Sequence, residues 1–129
     1  MTISNFFLVF VGGGLGAAVR FLVTAAARWA AFPLGTLAVN AGGSFLMGLI
    51  MGAVLLLTEK YELIAEPLRL LLAVGFLGGL TTFSSFSFET LLLLKGGSYL
   101  LAFCNIALQL FTGLLLAALG MALAKGLLR

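Results

Sequence analysis

Four long stretches of this chain, at about 5–27, 34–57, 68–94 and 99–125, are uncharged or nearly so. Each is near or above the roughly 20 residues that a helix needs to cross the hydrocarbon of a bilayer. Only 9% of the 129 residues are charged and 63% are hydrophobic, whereas soluble domains carry about 25% charged residues. The chain is therefore expected to be an all-α membrane protein. Its four transmembrane helices form one domain with short connections and no soluble module, and the lipid bilayer is its surroundings.

Several classes fall away at once. No Lys or Arg precedes Arg20, whereas a signal peptide opens with a basic segment, so the first run is expected to be a retained helix. A single cysteine, Cys104, rules out a disulfide framework within one chain, and there is no histidine. The net charge of +3 comes from seven basic residues scattered over loops and helix ends. These read as interfacial anchors whose heads snorkel toward the lipid headgroups, and no basic stripe suggests a nucleic-acid partner.

The distribution of those charges bears on assembly. With four spans, Lys60, Arg69, Lys125 and Arg129 share one side, while Arg28, Lys95 and a snorkelling Arg20 take the other. Orientation in a membrane follows an excess of Lys and Arg on one side, and four against three is almost none. The chain is expected to insert both ways round, which permits an antiparallel homodimer. Four helices can barely enclose a polar pathway alone, and a second copy would supply the missing wall.

The first run carries Gly12, Gly13, Gly14 and Gly16. Gly12-x-x-x-Gly16 makes a small-residue face for close helix packing. A nucleotide-binding glycine loop would need a preceding strand, which a lipid-spanning run does not supply. Arg20 closes the run, either as an anchor or as a cation at the mouth of an anion pathway. Trp29 is an interfacial aromatic, and Pro33 can open the second helix. Thr36 and Asn40 then share a face at a spacing of four, and Gly48-x-x-x-Gly52 continues a small-residue surface. The mixed charges of Glu59, Lys60, Glu62, Glu66 and Arg69 read as a solvated connection over 58–67.

The third run holds the least lipid-like segment, residues 74–89. It has three glycines, five hydroxyl residues, closely spaced phenylalanines and a carboxylate. A glutamate at membrane depth costs about 2.5–3.5 kcal/mol on insertion scales, so a functional role is the default reading. Gly75, Gly78 and Gly79 before Thr81-Thr82 favour a break, and unwound backbone exposes carbonyls that can hold a cation. Beyond it, Phe83 and Phe86 project from one face, with Ser85 and Glu89 on an adjacent strip. A ring edge is electropositive and can meet a small anion without trapping it. The fourth run adds Asn105, Gln109 and Thr112 as one polar stripe.

Gly35-Thr-Leu-x-Val-Asn40, followed by Gly78-Gly-Leu-Thr-Thr-Phe-Ser-Ser-Phe-Ser-x-Glu89, closely resembles the Fluc (CrcB) fluoride-channel family. Gly16-x-x-x-Arg20 and Gly-x-Tyr99 fit the same pattern, so the likeness spans nearly the whole chain. The resemblance implies dual-topology antiparallel homodimers with a broken third helix and two fluoride pores, in a bacterial inner (cytoplasmic) membrane. It also implies passive export of cytoplasmic fluoride, which lowers its concentration and toxicity. By resemblance, Phe83 and Phe86 are the pore phenylalanines, Asn40 is the pore asparagine, and Ser84, Ser85 and Glu89 form the polar track. Arg20 is the vestibule arginine. The same resemblance implies a structural sodium ion at the dimer centre, held by the backbone carbonyls of Gly78 and Thr81. Gly113, with Thr112 beside it, stands where some members of that family carry a serine, and Gln109 stands where they carry a different polar residue, so fourth-helix pore contacts stay open.

A small proton-coupled multidrug-type exporter is the alternative. Such exporters resemble one another in a first-helix carboxylate, and this first helix has none. An enzyme is disfavoured, because Ser84 and Ser85 lack a neighbouring base and Glu89 is a single carboxylate.

Overall fold

The structure, a computed structural model, describes residues 2–58 and 62–128. The chain runs through α1 (Ile3–Ala26), α2 (Leu34–Thr58) and α3 (Glu62–Leu68). A widened π-helical segment (Arg69–Leu77) follows, then the single turn α4 (Gly78–Leu80), α5 (Phe83–Lys95) and α6 (Tyr99–Leu127). Four segments are long and apolar enough to cross a membrane: Ile3–Ala26, Leu34–Leu57, Ala65–Lys95 and Tyr99–Leu127.

The third span begins earlier than the hydropathy suggests. Residues expected in a solvated loop are helical from Glu62 onward, and Pro67 lies inside that helix. Proline supplies no N–H to the ladder, and just past it the helix widens to the i→i+5 pattern. Ala73, Gly75 and Leu77 are all buried, because the segment packs against α1 on one side, where Gly75 lies, and against α2 on another, where Leu77 joins Val39. Arg69 joins Glu66 in a two-point ion pair, with Nε–Oε2 and Nη2–Oε1 both 2.8 Å. Glu59, Lys60 and Arg129, which entered the charge reading, lie outside the described residues.

Two glycine-lined contacts set the frame. A Cβ on Gly12 or Gly16 would collide with the carbonyls of Leu71 or Phe76, and one on Gly79 with the Gly13 carbonyl. The third span thus lies backbone to backbone on α1. In the same way Gly48 abuts the Ala117 carbonyl and Gly120 abuts the Phe45 carbonyl, which joins α2 to α6. Little hydrophobic effect drives helices together within lipid, so this close fit and the polar bonds between helices carry the association. The turn from α5 to α6 closes with Ser98 N–H on the Leu93 carbonyl at 2.9 Å. Gly97 makes that turn possible by adopting φ +75°.

The break lies one step later than the glycine cluster suggests. Gly75, Gly78 and Gly79 all stay helical: Gly75 and Gly79 are packing positions against α1, and Gly78, exposed between them, continues the helix. Thr81 and Thr82 are the extended pair, with φ/ψ of −80/153° and −151/111°. Their side chains are β-branched and offer local hydrogen bonds that compete with the helix. The Thr82 hydroxyl caps α5 by accepting from Ser85 N–H at 3.2 Å.

Candidate ion pathway

Every backbone group at the break must be satisfied away from water. Thr82 N–H donates to Asn40 Oδ1 at 2.7 Å, and Asn40 Nδ2 donates back to the Thr82 carbonyl at 3.1 Å. One α2 side chain therefore replaces two helical bonds. On the opposite side, Arg20 Nη1 donates to the Thr81 carbonyl at 3.2 Å. Arg20 ties α1 to the break and stands on the wall of neither cavity described below.

Because Thr82 N–H turns to Asn40, the Gly78 carbonyl lacks the amide that a continuous helix would give it. Gly78 is exposed on the outer side of the chain, with Thr81 half-buried nearby. The Gly78 carbonyl is thereby freed, and the Thr81 carbonyl keeps one lone pair beyond its bond to Arg20; such hard oxygens are of the kind that an alkali or alkaline-earth cation prefers. Among the described residues no cluster of His, Cys, Asp or Glu offers a metal site.

Two cavities flank the polar side chains of α2 and α5. One, about 330 Å³, is bordered by Asn40, Ser44, Thr82, Phe83, Phe86 and Gln109, and no charged side chain is on its wall. The other, about 370 Å³, is bordered by Thr24, Arg28, Phe32, Thr36, Glu89 and Ser98. Thr36 lies one turn before Asn40, and Phe86 one turn before Glu89. The cavities thus succeed one another along the same two helices. Between them Thr36, only 1% exposed, donates its hydroxyl to Glu89 Oε1 at 2.7 Å. The other carboxylate oxygen, Glu89 Oε2, is buried with no partner among the described residues.

The two phenylalanines meet edge to face, with ring centroids 5.4 Å apart and planes at 62°. They differ sharply in surroundings: Phe86 is 9% exposed and Phe83 is 76% exposed. Ser84 is exposed and Ser85 half-buried. Ser85 accepts from the Thr82 hydroxyl at 3.0 Å, so within this chain it helps to start α5.

The fourth-helix stripe divides by function. Asn105, fully buried, donates to the Thr90 hydroxyl at 2.9 Å, and Thr90 donates to the Phe86 carbonyl at 2.8 Å. Gln109 Oε1 accepts from Asn40 Nδ2 at 3.0 Å. The Thr112 hydroxyl folds back to donate to the Leu108 carbonyl of its own helix at 2.6 Å. Thr82, Thr90 and Gln109 are thus structural members of the site that the sequence reading did not assign. Their signal was the spacing of four between Thr36 and Asn40 and between Asn105 and Gln109, which needs a facing helix before it acquires meaning.

Together these features define a small multi-pass helical membrane protein, with a break in its third span opening onto a neutral cavity of amides, hydroxyls and phenylalanine rings. Residues 7–121 match the family described as CrcB-like protein, Camphor Resistance (CrcB), and the chain belongs to that family. It is 42% identical over 126 residues to a protein of Pyrococcus abyssi, covering 97% of this chain and 99% of the relative. Against a Shewanella woodyi protein it is 44% identical over 120 residues, covering 91% and 93%. A Hydrogenobaculum protein is 46% identical over 119 residues, covering 90% and 93%. All three relatives bear the name fluoride-specific ion channel FluC, so they are named as channels and not as enzymes.

Proposed function

We propose that this chain is a fluoride channel that lets cytoplasmic fluoride leave the cell passively, lowering its concentration and toxicity. The observation that carries the reading is the uncharged cavity at the break. Phenylalanine rings, amides and the start of α5 meet there without a Lys or Arg on the wall. Fluoride sheds water only where donors replace it, and it moves on only where no full positive charge holds it. Ring edges and the positive end of a helix satisfy both conditions. Asn40, Phe83, Phe86, Ser84, Ser85 and Glu89 line the pathway in this reading, and Arg20 stands near its mouth. The names of the relatives support the same ion.

The functional unit is an antiparallel homodimer in the cell membrane with two pores. The 76% exposure of Phe83 supports this arrangement, since a conducting phenylalanine open to lipid would do nothing useful. The carbonyls of Gly78 and Thr81 would hold a structural sodium ion where the two copies meet. One chain offers two such oxygens, and a second copy brings the set to four. A carbonyl has two lone pairs, so the bond from Arg20 leaves Thr81 able to share. When bound, the ion would offset the dipoles of these carbonyls.

Liposomes holding the purified protein, read with a fluoride electrode, test the reading directly. Fast fluoride release without chloride release is expected. Absent release from a folded dimer, or proton-driven uptake of cationic drugs, would replace the channel with another transport reaction. Dual insertion is tested with Gly126→Cys, an exposed position with open space around it, in a Cys104→Ala background. Reagent added from outside is expected to label about half of the protein; labelling of all or none of it would exclude mixed orientation.

A further inference from the structure

The hydrogen-bond pattern of the two amides at the cavity identifies which of them has a donor left to give. An amide NH₂ carries two hydrogens. Both hydrogens of Asn40 are spent, one on the Thr82 carbonyl at 3.1 Å and one on Gln109 Oε1 at 3.0 Å. Asn40 cannot be turned over to release them, because Thr82 N–H fixes Oδ1 in place at 2.7 Å. That orientation in turn fixes Gln109, whose oxygen must face the Asn40 donor. Gln109 Nε2 is left over: it is buried, and it has no partner among the described residues. A buried N–H without a partner is costly to maintain, and Gln109 borders the same cavity as Phe83 and Phe86.

We infer that the Nε2–H₂ group of Gln109 on α6 is the amide donor that meets the anion in this pore, with Asn40 acting as the bracket that aims it. The inference rests on the fluoride-channel reading and deepens it. Asn40 works through other groups: it closes the break at Thr82 and polarises Gln109 by donating to its oxygen. The anion takes the place of the missing acceptor, between an amide N–H and the ring edges of the phenylalanines.

Gln109 is the sole glutamine of the chain, so ¹⁵N-glutamine labelling gives a single side-chain NH₂ to watch by NMR in detergent. Fluoride is expected to shift that pair of resonances saturably, over the concentration range in which efflux saturates, and chloride is not. Two variants accompany it. Gln109→Glu keeps an acceptor for Asn40 and removes the donor; Gln109→Met removes both without adding charge. Each is expected to slow fluoride efflux about ten- to a hundredfold, the scale of a lost hydrogen bond to a charged group, with the dimer retained. Resonances that stay still in a conducting protein would overturn the inference and leave the channel standing. So would either variant conducting at the wild-type rate. Dissociation of the dimer in Gln109→Met together with unmoved resonances would assign Nε2 to the second copy, again against the inference. No efflux from the wild type would instead remove the channel reading itself.

Discussion

Phe86→Ile is expected to reduce fluoride efflux by about one to two orders of magnitude while leaving the protein folded. The substituted side chain stays apolar and branched, so it fills most of the space beneath α5, where Phe86 is 9% exposed. It removes an aromatic ring, with its electropositive edge, from the cavity wall. If that edge serves the anion as a hydrogen-bond-grade donor, about 1.5–3 kcal/mol of stabilisation disappears, and each 1.4 kcal/mol is about tenfold. Efflux from liposomes, read alongside elution of the detergent-solubilised dimer, checks both halves. Phe83→Ile makes the comparison sharper. Phe83 is 76% exposed within one chain, so its replacement should leave the stability of the subunit untouched and act only on flux. Normal efflux in a well-folded Phe83→Ile, Phe86→Ile double variant would remove the phenylalanine argument.

The second large effect is expected in stability. Asn40→Leu deprives Thr82 N–H, the Thr82 carbonyl and Gln109 Oε1 of their partners in one step. Thr82 is buried, and each buried polar group left unsatisfied costs about 1–3 kcal/mol. A loss of roughly 3 kcal/mol or more is therefore expected, measurable as a shifted midpoint in denaturant unfolding from detergent micelles. Asn40→Asp separates the roles. It keeps an oxygen to accept from Thr82 N–H and loses the donors, so it should retain more of the stability than Asn40→Leu. Equal stability of Asn40→Leu and wild type would mean that the break does not depend on this bracket.

Both predictions depend on features that the sequence revealed unevenly. The four spans were legible because a continuous apolar run of about 20 residues in lipid satisfies its backbone as a helix, and composition alone exposes such runs. The glycine faces were legible for a related reason: Gly12 and Gly16, or Gly48 and Gly52, recur at the spacing of one helical face. Phe83, Phe86 and Glu89 stood out because an apolar span has no need of them. The start of the third helix was harder to see. Charged residues and Pro67 imitate a loop, yet Glu62–Leu68 is helical and passes straight into the π-helical segment.

Composition is enough to mark four segments able to cross a membrane, and the residue types of the third single it out as the candidate site. The position of the break in the third span follows from packing, because Gly79 stays helical against Gly13 of α1 while the extended Thr81 and Thr82 bond to Arg20 and Asn40. Packing also decided which amide has a hydrogen to spare. A carboxamide at position 40 and another at position 109 look alike in one dimension. Their roles separate once Thr82 pins the first and the first pins the second. Hydrogen bonds between distant segments are properties of packing, and no local pattern of residues encodes which partner a side chain will meet.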